Sequence, residues 1–287
     1  LVESDGDMDK AVDFLREKGL AGAEKKAGRI AAEGIVKTAV SEDEKTAVVV
    51  EVNAETDFVA KNEKFQTYVA EVAAQALTSE NTDIEAFMAE KWALDETMTV
   101  KEKLSSMISV IGENMNIRRF EKMTVENGFI SSYIHAGGRI GVLVKVESDV
   151  VNDELREMGK NVCMQAAALK PQFCSNKDVP ADFLEKETEI LKAQIENDPK
   201  EAAKPENVKL GMIKGRINKE LKEICLLDQV YVKAEDGKQS VQQYVDQTAK
   251  ANGAKACVTA FVRFETGEGL QKREEDFAAE VAKQMGK

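Results

Sequence analysis

The sequence predicts an α+β fold: two similar halves built on antiparallel sheets, an inserted antiparallel helical hairpin of coiled-coil type, and a helix towards each end. Three observations predict it. Residues 46–76 run apolar strand, acidic link, amphipathic helix, and residues 139–169 repeat that order. Between Pro180 and Cys225 two long apolar helical stripes flank the breaker residues Pro199 and Pro205. Shorter helical stripes stand near both ends of the chain.

The chain has 287 residues, enough for two domains or one domain with appendages. Its 43% hydrophobic and 32% charged content fits a globular protein, and 6% aromatics predict a mostly aliphatic core. The net charge of −12 argues against general nucleic-acid binding, which needs Lys and Arg to displace counterions. An acidic surface suits a basic protein partner, or solubility alone. The cysteines 163, 174, 225 and 257 have no C-x-x-C spacing, so a reducing setting is expected, the cytoplasm first and an organelle matrix as the alternative. No run approaches the roughly 18 apolar residues of a membrane span.

Asp7 can cap a first helix with the stripe Met8, Ala11, Val12 and Leu15, ended by Gly19. One such helix cannot bury its face alone, and Leu1 opens in the middle of a helical pattern; a missing N-terminal neighbour is expected. Residues 23–34 read as a small-residue, basic helical linker. Their glycines lack phosphate-loop spacing. Ile35–Val40 and Thr46–Val52 flank the acidic turn Ser41-Glu42-Asp43-Glu44 and predict a hairpin.

Phe58 follows, in the link to a helix carrying Phe65, Val69, Val72 and Ala76. An aromatic there either fills the core or projects towards a partner. The matching link of the second half carries Val150-Val151 and no aromatic, which favours projection. Helical sequence is then expected around Phe87, Trp92, Leu104 and Ile108, and strands over 117–123 and 128–134. The turn His135–Arg139 leads into the strand Val142–Val146 and a helix with Leu155, Met158, Val162 and Ala166.

In the hairpin, Leu184, Leu191 and Ile195 face Leu210, Ile213, Ile217, Leu221 and Ile224. This seam could close on itself or pair with a second copy to form a homodimer. Strands at 229–233 and 256–264 bracket a helix at 241–249, and a last helix places Phe277, Val281 and Met285 on one face. The chain thus divides into an N-terminal module and linker (1–34), a first core half (35–134), a second core half (135–180 and 226–265), the hairpin (181–225) and a C-terminal module (266–287).

A catalytic reading finds little support. His135 is the only histidine, and it sits in a glycine-flanked turn. No histidine partner exists for a zinc site, and Glu42, Asp43 and Glu44 read as a solvated turn. No enzyme activity, cofactor or metal is expected. From the residues alone the chain is an interaction protein.

Several stretches resemble the elongation factor Ts family. They are Lys25–Gly34, Thr56-Asp57-Phe58-Val59-Ala60-Lys61, Ile111–Arg119, Tyr133-Ile134-His135 through Val144, Lys170-Pro171-Gln172-Phe173, and Gly267-Glu268-Gly269 through Ala278. Their order matches the family's. The turn His135–Arg139 is one residue longer than the family form.

The resemblance implies guanine nucleotide exchange on the GTPase elongation factor Tu. Residues 1–20 would be the later part of a module similar to a ubiquitin-associated domain. Asp57 and Phe58, flanked by Thr56 and Val59, would enter the GTPase domain and disturb its magnesium and phosphate site. Ile111, His135 and the last helix with Phe277 would touch the same partner. The hairpin would reach another domain of that partner or a second copy. A passive partner without exchange activity is the alternative.

Overall fold

The computed structural model describes residues 2–5 and 7–271 of the chain. Helix α1 (Met8–Glu24) leads to a hairpin of β1 (Glu33–Val40) and β2 (Thr46–Ala54). A single helical turn, α2 (Asp57–Ala60), precedes α3 (Glu63–Thr78) and α4 (Ile84–Ala89). A small ribbon of β3 (Lys91–Trp92) and β4 (Asp95–Thr99) follows, then α5 (Val100–Ile111) and β5 (Met115–Thr124). The second half opens with β6 (Gly128–His135), β7 (Ile140–Ser148) and α6 (Asp153–Leu169). The arm comprises α7 (Ala181–Asn197), α8 (Pro199–Ala202) and α9 (Glu206–Ile224). The chain returns through α10 (Val241–Ala251) to β8 (Ala256–Glu265).

Two antiparallel three-stranded sheets, β1-β2-β5 and β6-β7-β8, have the same order of neighbours. They pack face to face through Val36, Val49, Met123, Ile130, Leu143 and Phe264. On the outer face of the first sheet, α3, α4 and α5 enclose Val48, Val50, Val52, Phe65 and Trp92. On the second, α6 and α10 enclose Val142, Val144, Leu155, Met158 and Val245. The central strands β2 and β7 are therefore covered on both faces, which is why each reads as a continuous apolar run rather than an alternating one.

The internal echo extends to backbone detail. Each central strand is irregular at one matching place, between Glu51 and Val52 against β5 and between Lys145 and Val146 against β8. Gly34, second in β1, and Gly128, first in β6, lie at φ +120° and +127°, where a Cβ would be 2.1 Å from the carbonyl oxygens of Val52 and Val146. Strand β6, assigned above to the first half, pairs with β7 and lies in the second sheet.

Other expectations change for physical reasons. Gly19 does not end the first helix. The helix runs on to Glu24 because Gly19 and Gly22 face Ser109 of α5, whose hydroxyl donates to the Gly19 carbonyl at 3.3 Å. Leu15, placed on the apolar stripe, is exposed. Residues 25–32 are turn and extended chain rather than helix, held where the Asn114 side chain donates to the Arg29 carbonyl at 2.8 Å. Trp92 lies in the β3–β4 ribbon, not a helix, and packs near Tyr68. Residues 229–233 form only an isolated bridge, Val230 with Ser240.

In the arm, Leu191 and Ile195 of α7 meet Ile213 of α9, flanked by Met212 and Ile217, so these side chains close within one chain. Leu210, expected in the seam, is exposed. The helix expected over 276–285, with Phe277, lies outside the described residues. No helix among the described residues is long and apolar enough to cross a membrane.

Candidate functional site

The turn between β2 and α3 is built from its polar groups upward. Thr56 is extended (φ −130°, ψ 156°) and caps α2, its hydroxyl accepting the Val59 amide at 3.4 Å. The same hydroxyl donates to Glu113 Oε1 at 2.7 Å. Glu113 Oε2 accepts the amides of Glu55 and Thr56 at 3.1 and 3.0 Å. In return, Glu55 Oε1 accepts the Asn114 amide at 2.6 Å and faces Arg29 at 3.5 Å.

Phe58 stands on this turn with 79% of its surface exposed. Of the two fates open to it, core filler is excluded. Val59 points the other way, into the first core with Val52, Phe65 and Val69, and acts as an anchor rather than an outward contact. Asp57 pairs with Lys61 at 2.6 Å on the surface, and that hydrogen bond holds its carboxyl below the usual range. The Lys61 ammonium lies 6.0 Å from the centre of the Phe58 ring.

Ile111 ends α5, half-buried against the first core, and Gly112 caps that helix at φ 91°. Glu113 comes next, so the Ile111 end of α5 and the Phe58 turn are bound directly together. His135 arrives from the second sheet, at the end of β6 opposite Ile140. It is exposed, and its Nδ1 shares a hydrogen bond with the Tyr133 hydroxyl at 3.1 Å. The turn after it meets the first half at β1, where a Cβ on Gly138 would lie 2.9 Å from Ile35 Cβ. Helix α2 also rests on β1, so one strand supports both features.

Beside this strand lies a polar cluster missed in the sequence. Glu51 is fully buried, bonded to Arg119 at 2.7 Å, Arg118 at 3.1 Å, Asn53 at 3.0 Å and the Gly267 amide at 2.8 Å. Burial pushes its pKa up, but these donors outweigh it and the net direction is down. The cluster fastens residues 266–268, after β8, to the first sheet. A charged residue inside an otherwise apolar strand was the available signal. Among the described residues, no group of three or more His, Cys, Asp or Glu is arranged to hold a metal ion.

The family model described as Elongation factor TS matches residues 55–268. This span begins at the Glu55–Glu113 contact and ends at Glu268. The chain belongs to the elongation factor Ts family. It is 50% identical over 285 residues to Elongation factor Ts of Clostridium novyi, covering 99% of this chain and 91% of that protein. It is 51% identical over 287 residues to that of Clostridium perfringens strain SM101, covering 100% and 92%. The family assignment makes the chain an elongation factor, and its two-sheet α+β architecture is consistent with it.

Proposed function

We propose that the protein is a guanine nucleotide exchange factor for elongation factor Tu, acting through the Asp57-Phe58 turn. The observation that carries this is the exposed Phe58 on a turn fixed by Thr56 and Glu113. A large apolar side chain held out in water loses no intramolecular packing when a partner takes it up. Phe58 enters the GTPase domain beside its magnesium and phosphate site, with Asp57 adjacent. Ile111 and His135 extend the contact, and the C-terminal segment with Phe277 adds to it. The arm reaches a second region of the partner or another copy of this chain. No chemical step on substrate is required, so the protein is not an enzyme in the usual sense. Its place of work is the cytoplasm, where elongation proceeds and free thiols persist.

The energetics set what the turn must do. An exchange factor binds the nucleotide-free GTPase more tightly than the nucleotide-bound form, and by reciprocity weakens nucleotide binding by the same factor. Full burial of a Phe contributes about 1.5–3 kcal/mol, or one to two decades. The remaining contacts supply the rest.

The test is release of labelled GDP from elongation factor Tu with and without this protein. Faster release supports the reading. Complex formation with release at the unassisted rate would establish a passive partner instead.

A further inference from the structure

Helix α2 is one turn long, too short to hold its own conformation in water. Besides its packing on β1 and the Gln66 side chain on the Ala60 carbonyl, its orientation rests on the Thr56 cap, Val59 in the core, and one carboxylate from elsewhere in the chain. That carboxylate, Glu113, accepts three hydrogen bonds from Glu55 and Thr56. It also orients the cap, because the hydroxyl that donates to Glu113 is the one that accepts the Val59 amide. One residue, Asp57, separates Thr56 from Phe58, and one, Gly112, separates Glu113 from Ile111. A single side chain therefore joins the two apolar residues facing the proposed partner.

We infer that Glu113 is a positioning residue for nucleotide exchange: its carboxylate fixes the turn that projects Phe58. This rests on the exchange reading above. With the carboxylate removed, the Glu55 and Thr56 amides lose their acceptor and the turn samples other orientations. The ordering cost then falls within the complex, on the step in which Phe58 enters the GTPase domain.

The experiment compares Glu113→Ala, Glu113→Asp and Glu113→Gln with the unsubstituted chain. GDP release is followed across exchange-factor concentration, and amide hydrogen exchange is read at residues 55 and 56 and along β2. In Glu113→Ala and Glu113→Asp, release at saturation is expected to fall about tenfold, with protection lost at 55 and 56 and kept in β2. Glu113→Gln can meet the same three groups with the Thr56 hydroxyl turned round, and is expected to return to within about threefold. Rates in Glu113→Ala equal to the unsubstituted chain overturn the inference. So does loss of protection across β2 as well, or a Gln variant as slow as Ala. If the unsubstituted chain does not speed release, the exchange reading fails. Protection at 55 and 56 in Glu113→Ala then still decides whether Glu113 holds the turn.

Discussion

Gln75 and Gln165 make the same pair of hydrogen bonds in the two halves of the molecule. Gln75 of α3 donates Nε2 to the Lys91 carbonyl at 2.8 Å and accepts the Ala93 amide on Oε1 at 3.0 Å. Gln165 of α6 donates to the Val230 carbonyl at 3.0 Å and accepts the Val232 amide at 2.9 Å. Each side chain stands in for a strand on one edge of a segment whose other edge faces β4 or Ser240, satisfying two backbone groups there. Gln165 is fully buried. Gln165→Leu strands the Val230 carbonyl and the Val232 amide and removes the donor to Gln229 Oε1 at 3.1 Å, so a loss of about 2–5 kcal/mol is expected. Urea unfolding measures it, and an unchanged midpoint would show that water replaces the side chain.

Phe58 contributes to binding and little to the fold. It is 79% exposed, and its ring lies outside the core clusters. Phe58→Ala should leave stability within about 0.5 kcal/mol. The same change should slow assisted GDP release by about one to two decades. Parallel melting and release measurements separate the two effects. An unaltered release rate removes Phe58 from the mechanism.

Glu265 ties the end of β8 to the end of α6. It bonds Lys170 at 2.5 Å and Arg263 at 2.9 Å, and these cations, Lys170 first, lower its pKa from 4.5 to about 2. A carboxyl depressed in the folded state binds protons more readily when unfolded. Its contribution to stability is therefore present above about pH 4.5 and is lost as pH falls towards about 2. Denaturation midpoints collected down that range should decline less steeply in Glu265→Gln than in the unsubstituted chain. Superimposable slopes would rule out the pairing as a source of acid sensitivity.

The four cysteines are free, and they differ in access. Cys163 and Cys225 are fully buried and Cys174 nearly so, whereas Cys257 is exposed. Burial pushes the Cys163 thiol far up, Cys174 to about 12 and Cys225 to about 11. A thiol-labelling reagent at neutral pH should modify Cys257 first, and the other three only as the protein unfolds. Mass spectrometry of partly labelled protein reads this directly. Early labelling at Cys163 would mean that the second core opens readily.

Features that repeat along the chain were legible in the sequence. The α3 stripe of Phe65, Val69, Val72 and Ala76, the hairpin of β1 and β2, and the two arm helices all follow from local periodicity. The Asp57-Phe58 turn stood out because an aromatic occupied a link whose counterpart has none. Less legible were segments whose backbone is satisfied by a distant side chain. Residues 91–93 and 229–233 depart from what their local pattern predicts because the side chains that satisfy them, Gln75 and Gln165, are polar residues on buried helix faces. An apolar stripe does not register them.

The sequence by itself determined the two-part α+β plan, the inserted arm and the motifs of the elongation factor Ts family, because spacing and local composition encode these. Only the tertiary structure decided where Phe58 points. A side chain at a strand-to-helix link can satisfy local preferences facing in or out. The choice was made by Val59 in the core and by the Glu113 carboxylate, 57 residues along the chain from Thr56. No local pattern links those positions; folding brings them together.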